Sequence, residues 1–287
     1  MNTLDTFLEQ AWNDHADHAA AVAARLPEGL SLTQDGDGAM SLAALAHHVF
    51  GEHLGRWHDG LAFMEQLAQR NVPGASSAAS LARCRASLNL SGGFADERAQ
   101  MTTSDRCRVT AMAAGNLATR DTARASALLM DAQALAADLS DGDPGVRVLA
   151  ANSNNVAATL KDLAPLEPAP RDLMLRAAQI ARAQWERAGT WLEVERAEYR
   201  LALCYLAAGD PVQALRHAEL CDSVVRENGS VPLELFFAAE AACLPARALG
   251  DGDAGTAALA TARQAFDALP ASDQAWCRAT LDKLEQS

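Results

Sequence analysis

Between Trp191 and Arg226 the chain spells out two helices and the turn that joins them, and a unit of this kind cannot stand alone. In WLEVERAEYRLALCYLA the apolar residues Trp191, Leu192, Val194, Tyr199, Leu201, Ala202, Leu203, Tyr205 and Leu206 recur mostly at spacings of three and four. That pattern lays an apolar stripe along one face of a helix. The stripe stops at Ala208-Gly209-Asp210-Pro211. Gly209 suits the left-handed position that ends a helix, Asp210 can cap the next one, and Pro211 fits its first turn, where no N–H is needed. The second helix presents Val212, Ala214, Leu215, Ala218, Leu220 and Cys221. Small residues at Ala202, Ala214 and Ala218 let the two antiparallel helices approach closely. The hairpin still has apolar surface left over, and it buries that surface only by stacking on neighbours.

Much of the chain repeats this form loosely. A first helix is expected over Leu4–Leu26, ended by Pro27-Glu28-Gly29, with a polar loop over 33–38. Ser41 is expected to cap a helix reaching His53. A turn at Gly55 leads to Trp57–Gln69, ended by Asn71-Val72-Pro73-Gly74. A helix to Leu90 stops at Ser91-Gly92-Gly93, the best hinge signal in the chain. Ala95–Thr119, a helix through Leu139, Val146–Leu163 and Arg171–Ala188 follow, the last preceded by a rigid linker at Pro165, Pro168 and Pro170. After the Trp191 hairpin come Pro232–Leu249, with a kink expected at Pro245, then Ala254–Leu269 and Ser272–Leu284. The whole reads as an all-α chain of about eleven or twelve helices in antiparallel pairs, with units of about 35–45 residues, the spacing of an α-solenoid. It is taken as one array over 1–287, with a possible subdivision into 1–92 and 93–287.

The Trp191 hairpin resembles a tetratricopeptide repeat, whose pattern spans about 34 residues. Ala202, Tyr205, Gly209 and Ala214 occupy the small, aromatic, Gly and Ala positions of that pattern, whereas Ala218, Cys221 and Arg226 depart from it. Looser likeness covers residues 40–70 and 95–270, where Gly55, Trp57, Gly60 and Met64 keep register and His48 breaks it. The resemblance implies a right-handed superhelix whose inner helices hold a peptide. It therefore points to Asn116, Asn152, Asn155, Arg196, Tyr199 and Arg200 as candidates for a concave groove. Asn152 and Asn155 sit in ANSNNVAATL, a run unusual inside a helix, where Asn has low propensity. Capping or hydrogen bonding between helices is the competing role for these asparagines.

Composition bounds the function classes. Strand-forming alternation is nearly absent, and the net charge is −13. That charge opposes non-specific nucleic-acid binding and attraction to anionic membranes. The N-terminus lacks the basic start and apolar core of a signal peptide, and no uncharged apolar run is long enough to span a bilayer. The six cysteines form no short metal or redox spacing and most fall in helical stripes, which favours a reducing, cytoplasmic setting. No nucleophile elbow, P-loop or dinucleotide loop occurs. The DGDG tracts at 35–38 and 250–253 lack the ligand series of an EF-hand.

Six of the seven histidines fall within the first 58 residues: His15, His18, His47, His48, His53 and His58. His15 and His18 share a helix face, as do His48 and Glu52. With no HExxH pattern, they are read as polar-face and packing residues, with no metal or cofactor assigned. The five tryptophans are scattered and read as core residues. The expected function is a non-catalytic scaffold that binds a protein or peptide segment. A sensor of a small molecule or signalling peptide stands second, and a metal-dependent enzyme built on the N-terminal histidines third.

Overall fold

The computed structural model describes residues 3–70, 75–163 and 165–286, and all regular structure among them is helical. The helices are α1 (Leu4–Leu32), α2 (Gly36–His47), a π-helix (His48–Leu54), α3 (Trp57–Gln69), α4 (Ala75–Gly92) and a 3₁₀ turn (Arg98–Gln100). They continue with α5 (Thr103–Leu117), α6 (Thr122–Ala137), α7 (Pro144–Lys161) and α8 (Pro168–Ala188). Then come α9 (Trp191–Ala207), α10 (Pro211–Glu227), α11 (Pro232–Ala248), α12 (Gly252–Asp267) and α13 (Ala271–Gln286). Two compact units divide the chain, residues 1–152 and 153–287. The expected stop at Asn71–Gly74 lies outside the described residues. Among those described, no helix is long and apolar enough to cross a membrane.

Unit 1 departs from the sequence expectation at its start. The first helix does not end at Pro27; it carries Pro27 inside and runs to Leu32, with non-helical backbone at His18. In a straight helix Phe7 and Gly29 would stand about 33 Å apart at 1.5 Å per residue. Here a Cβ at Gly29 would lie 2.6 Å from the Phe7 ring. Arg25 also reaches Asp14 at 3.5 Å, so the chain doubles back at His18 and α1 is itself a hairpin. The next helix starts earlier than expected, because Asp35 rather than Ser41 caps it, accepting from the Gly38 N–H. Ala95–Thr119 also shortens: α5 begins after Thr102, whose hydroxyl accepts from the Asp105 N–H. The Gly92–Gly93 pair lies within unit 1. The core gathers Phe7, Leu26, Leu42, Leu45, Val49, Phe63, Met64, Leu67 and Leu88.

Asn116 of α5 ties three helices of this unit together. Its Nδ2 donates to Ser91 Oγ at 2.9 Å on α4 and to His47 Nε2 at 3.3 Å on α2, while Ser87 Oγ lies 3.0 Å from the same ring nitrogen. Burial pushes the His47 pKa down to about 4, so the ring stays neutral and can accept. A Cβ at Gly51 would collide with the Asn116 amide, so glycine is what lets the π-helix lie against it.

Unit 2 packs in chain order, α8 on α9, α9 on α10, α10 on α11, α11 on α12 and α12 on α13, and α11 also touches both α9 and α13. The Trp191 hairpin forms as the sequence dictates. Thr190 and Glu193 make a capping box at the start of α9, Gly209 takes φ 82°, and Asp210 accepts from the Gln213 N–H at 3.0 Å. Ala202, Ala218 and Ala241 meet in one buried cluster where α9, α10 and α11 converge. Phe236 and Phe266 anchor the C-terminal core, each contributing about 1.5–3 kcal/mol through burial. All six cysteines are buried free thiols.

Asn116→Ala would take the buried amide donor from Ser91 and leave His47 Nε2 with Ser87 alone. The variant is expected to lose about 1–3 kcal/mol, read as a lowered urea midpoint with an unchanged slope.

Candidate functional site

Unit 2 holds a hollow of about 490 Å³ whose walls come from alternate helices. Asn154 and Lys161 come from α7, and Glu195, Arg196, Tyr199, Arg200 and Leu203 from α9. Leu233, Glu234 and Phe237 come from α11 and Trp276 from α13. The α9 residues recur at intervals of three and four and so form one face of that helix. The seven-residue step from Asn154 to Lys161 does the same on α7.

Burial sets the charge pattern of this hollow. Glu195 has no exposed surface. The Cys221 thiol donates to its Oε1 at 3.0 Å, while its Oε2 has no hydrogen-bond partner. Desolvation, reinforced by the carboxylate of Glu234, raises its pKa to about 8, so Glu195 is protonated at neutral pH. Glu234 is gripped by the Arg196 fork, with Nη2 donating to Oε1 at 2.6 Å and Nε to Oε2 at 3.4 Å. Tyr199 donates its hydroxyl to Glu240 at 2.9 Å, and burial holds its pKa above the usual tyrosine value. Its ring meets Phe237 edge to face at 5.6 Å, and Phe237 meets Trp276 at 5.3 Å. Lys161 pairs with Asp162 at 2.6 Å. Arg200 has no ion-pair partner among the described residues, and its Nε is buried without a hydrogen bond. Three basic side chains, Lys161, Arg196 and Arg200, thus line the hollow beside two acidic ones, Glu195 and Glu234.

The sequence candidates divide. Arg196, Tyr199 and Arg200 come together in this hollow. Asn116 does not belong to any groove surface, because it is fully buried in unit 1. Asn152 donates back to the Val148 carbonyl of its own helix at 2.9 Å. Asn155 is exposed, and its neighbour Asn154 takes the place in the wall. Leu233, Glu234, Phe237 and Trp276 were absent from the candidates. Trp276, read as a core residue, is 66 % exposed, and Trp12 is exposed at 39 %. Their isolation in sequence carries no periodic signal of either fate.

A second constellation lies in unit 1. Three imidazoles, His15, His48 and His53, each offer a ring nitrogen within 4.8 Å of the others. Their rings stand 4.7–5.1 Å apart, with Trp12 packed on His15 and His48. His48 Nδ1 lies 3.1 Å from Glu52 Oε2, the residue four places on. His18 sits exposed at the chain reversal and takes no part. Desolvation, with smaller contributions from the neighbouring histidines, lowers the His53 pKa to about 4.

Glu195 also generates a pH signature. Its folded pKa lies above the ordinary carboxyl value of 4.5, so the folded state holds the proton that the unfolded state releases. The resulting penalty is absent below pH 4.5, grows as pH rises, and is complete above about pH 8. Glu195→Gln, which keeps the thiol contact and cannot ionise, is expected to flatten that decline and to exceed the parent in stability at pH 8. Denaturant midpoints measured from pH 5 to 8.5 check it. Comparison of the chain with family models, curated proteins and solved structures returned no match.

Proposed function

We propose that unit 2 is a non-catalytic receptor for a peptide or protein segment that presents a free carboxylate beside an aromatic or aliphatic side chain. In this reading the helices form a tetratricopeptide-like, right-handed array of hairpins, with α7, α9, α11 and α13 as its inner row. One observation carries the proposal: alternate helices contribute to one hollow in which Arg200 lacks an anionic partner. A guanidinium so placed offers bidentate geometry to a carboxylate, whereas Arg196 is already committed to Glu234. The hollow is cationic on a chain of net charge −13, which favours an anionic group there over the rest of the surface. Trp276 and Phe237 supply an apolar shelf for the adjoining side chain. A preformed hollow lowers the ordering cost that an extended segment brings to binding.

A volume of about 490 Å³ also suits a small carboxylate ligand. That favours the sensor role as the second reading, in which such a molecule fills the hollow by the same chemistry.

The test is fluorescence anisotropy with a pool of short peptides ending in aromatic or aliphatic residues, each with a free and an amidated C-terminus. Free termini are expected to bind better, and Arg200→Ala to weaken them by about 10-fold or more, the worth of a charged hydrogen bond. Trp276→Ala is expected to weaken both forms of each peptide. Equal binding of the two termini, or an Arg200→Ala variant that binds as the parent does, overturns the proposal. Saturation by free amino acids or dipeptides at the same affinity selects the sensor reading.

A further inference from the structure

We propose that His15, His48 and His53 form a binding site for one divalent transition-metal ion of the zinc class, bound through three imidazole nitrogens with a fourth position left for water or another donor.

The spacing supports this first. A tetrahedral zinc ion with Zn–N bonds of about 2.0–2.1 Å holds its nitrogens roughly 3.3–3.4 Å apart. His48 Nε2 and His53 Nε2 already stand 3.1 Å apart, and the His15 donor lies within 4.8 Å of both. Closing the set asks the donor atom of the half-buried His15 to move by at most about 1.5 Å.

The outer nitrogens point the same way. His15 Nδ1 is 2.5 Å from the Trp12 carbonyl, and His48 Nδ1 is 3.1 Å from Glu52 Oε2. Each contact is satisfied by an Nδ1–H donor, which leaves the Nε2 lone pair for a metal. A histidine ligand backed by a carboxylate or a carbonyl is the usual outer arrangement of a metal site. Imidazole donors without a ligating carboxylate favour zinc, cobalt, nickel or copper over calcium or magnesium.

The backbone is irregular just where it has to be. On an α-helix residues five apart lie about 140° from one another at 3.6 residues per turn. A π-helix bonds residue i to i+5 instead, and it sets His53 beside His48. Arg120 holds the end of this turn, donating from Nη1 to the Glu52 carbonyl and from Nη2 to the His53 carbonyl, both at 2.7 Å. Gly55 closes it at φ 62°, and a Cβ there would run into the Arg120 guanidinium. The histidines therefore sit on a braced frame, with the third ligand brought in by the first arm of α1.

The test uses the full chain, stripped with chelator, dialysed and titrated with ZnCl₂ by calorimetry at pH 7.5, and with Co²⁺ by visible absorption. One equivalent of zinc with sub-micromolar affinity is expected, together with the intense visible bands of tetrahedral Co²⁺ and a melting temperature that rises with zinc and falls on chelation. His53→Ala and His15→Ala are each expected to abolish stoichiometric binding. Glu52→Gln should keep the stoichiometry and weaken affinity by roughly 10–100-fold, as outer-ligand changes do. His18→Ala should bind as the parent does. Circular dichroism confirms the fold of each variant, and the half-buried His15→Ala carries the test if His53→Ala fails to fold. Absence of stoichiometric zinc, or binding that survives His15→Ala unchanged, overturns the proposal.

Discussion

Close approach of helix backbones across small-residue seams is the constraint on which the rest of this structure depends. The thiols report it directly. Cys107 reaches the Ala132 carbonyl of the facing helix at 3.4 Å, and Cys243 reaches that of Gly255 at 3.4 Å. Such contacts require alanine, glycine or cysteine where a larger side chain would hold the helices apart. Within unit 2, Ala202, Ala218 and Ala241 draw α9, α10 and α11 together. Polar residues beside that seam lose their water, and each needs a local remedy.

The three buried acids of this region show three remedies. Glu198 takes the Arg182 guanidinium, with Nε at 2.5 Å, and the His217 imidazole, with Nδ1 at 2.7 Å, and its pKa is lowered despite burial. Glu234 takes the Arg196 fork. Glu195 has only a thiol donor, so it keeps its proton. With the acids of the hollow thus paired or neutral, Arg200 on the same face of α9 has no carboxylate left to meet. The cationic character of the hollow is a residue of how the seam was made soluble in its own interior, and that links a packing constraint to the recognition chemistry.

Much of the helical architecture was legible in the sequence because its signals are local. The Gly209-Asp210-Pro211 turn needs only a left-handed glycine, a side-chain cap and a proline at the first helical position, and all three act as their chemistry requires. The doubling back at His18 was not legible. It carries no glycine or proline, and Pro27, which does read as a stop, sits inside the second arm. The contacts that hold this reversal, Phe7 against Gly29 and Arg25 against Asp14, are long in sequence and have no periodic mark. Asn116 misled for a related reason. A polar residue on a helix face reads the same whether it meets water or a buried histidine and serine.

The two sites differ in the same respect. Arg196, Tyr199 and Arg200, which the resemblance to tetratricopeptide repeats singles out, share a face under ordinary helical periodicity, whereas no spacing relates Trp276 on α13 to α9. His48 and His53 stand five apart, a separation that α-helical reasoning assigns to divergent faces. Only an altered hydrogen-bond register aligns them, and that register rests on Gly51, Gly55 and the Arg120 guanidinium, 65 to 69 residues away in sequence. Both glycines are marked by what a Cβ would strike, Asn116 in one case and Arg120 in the other, and both partners lie at the end of α5. The packing of α5 against the π-helix is therefore what turns two unrelated histidines into neighbours, and a chain with the same histidines on a regular helix would separate them.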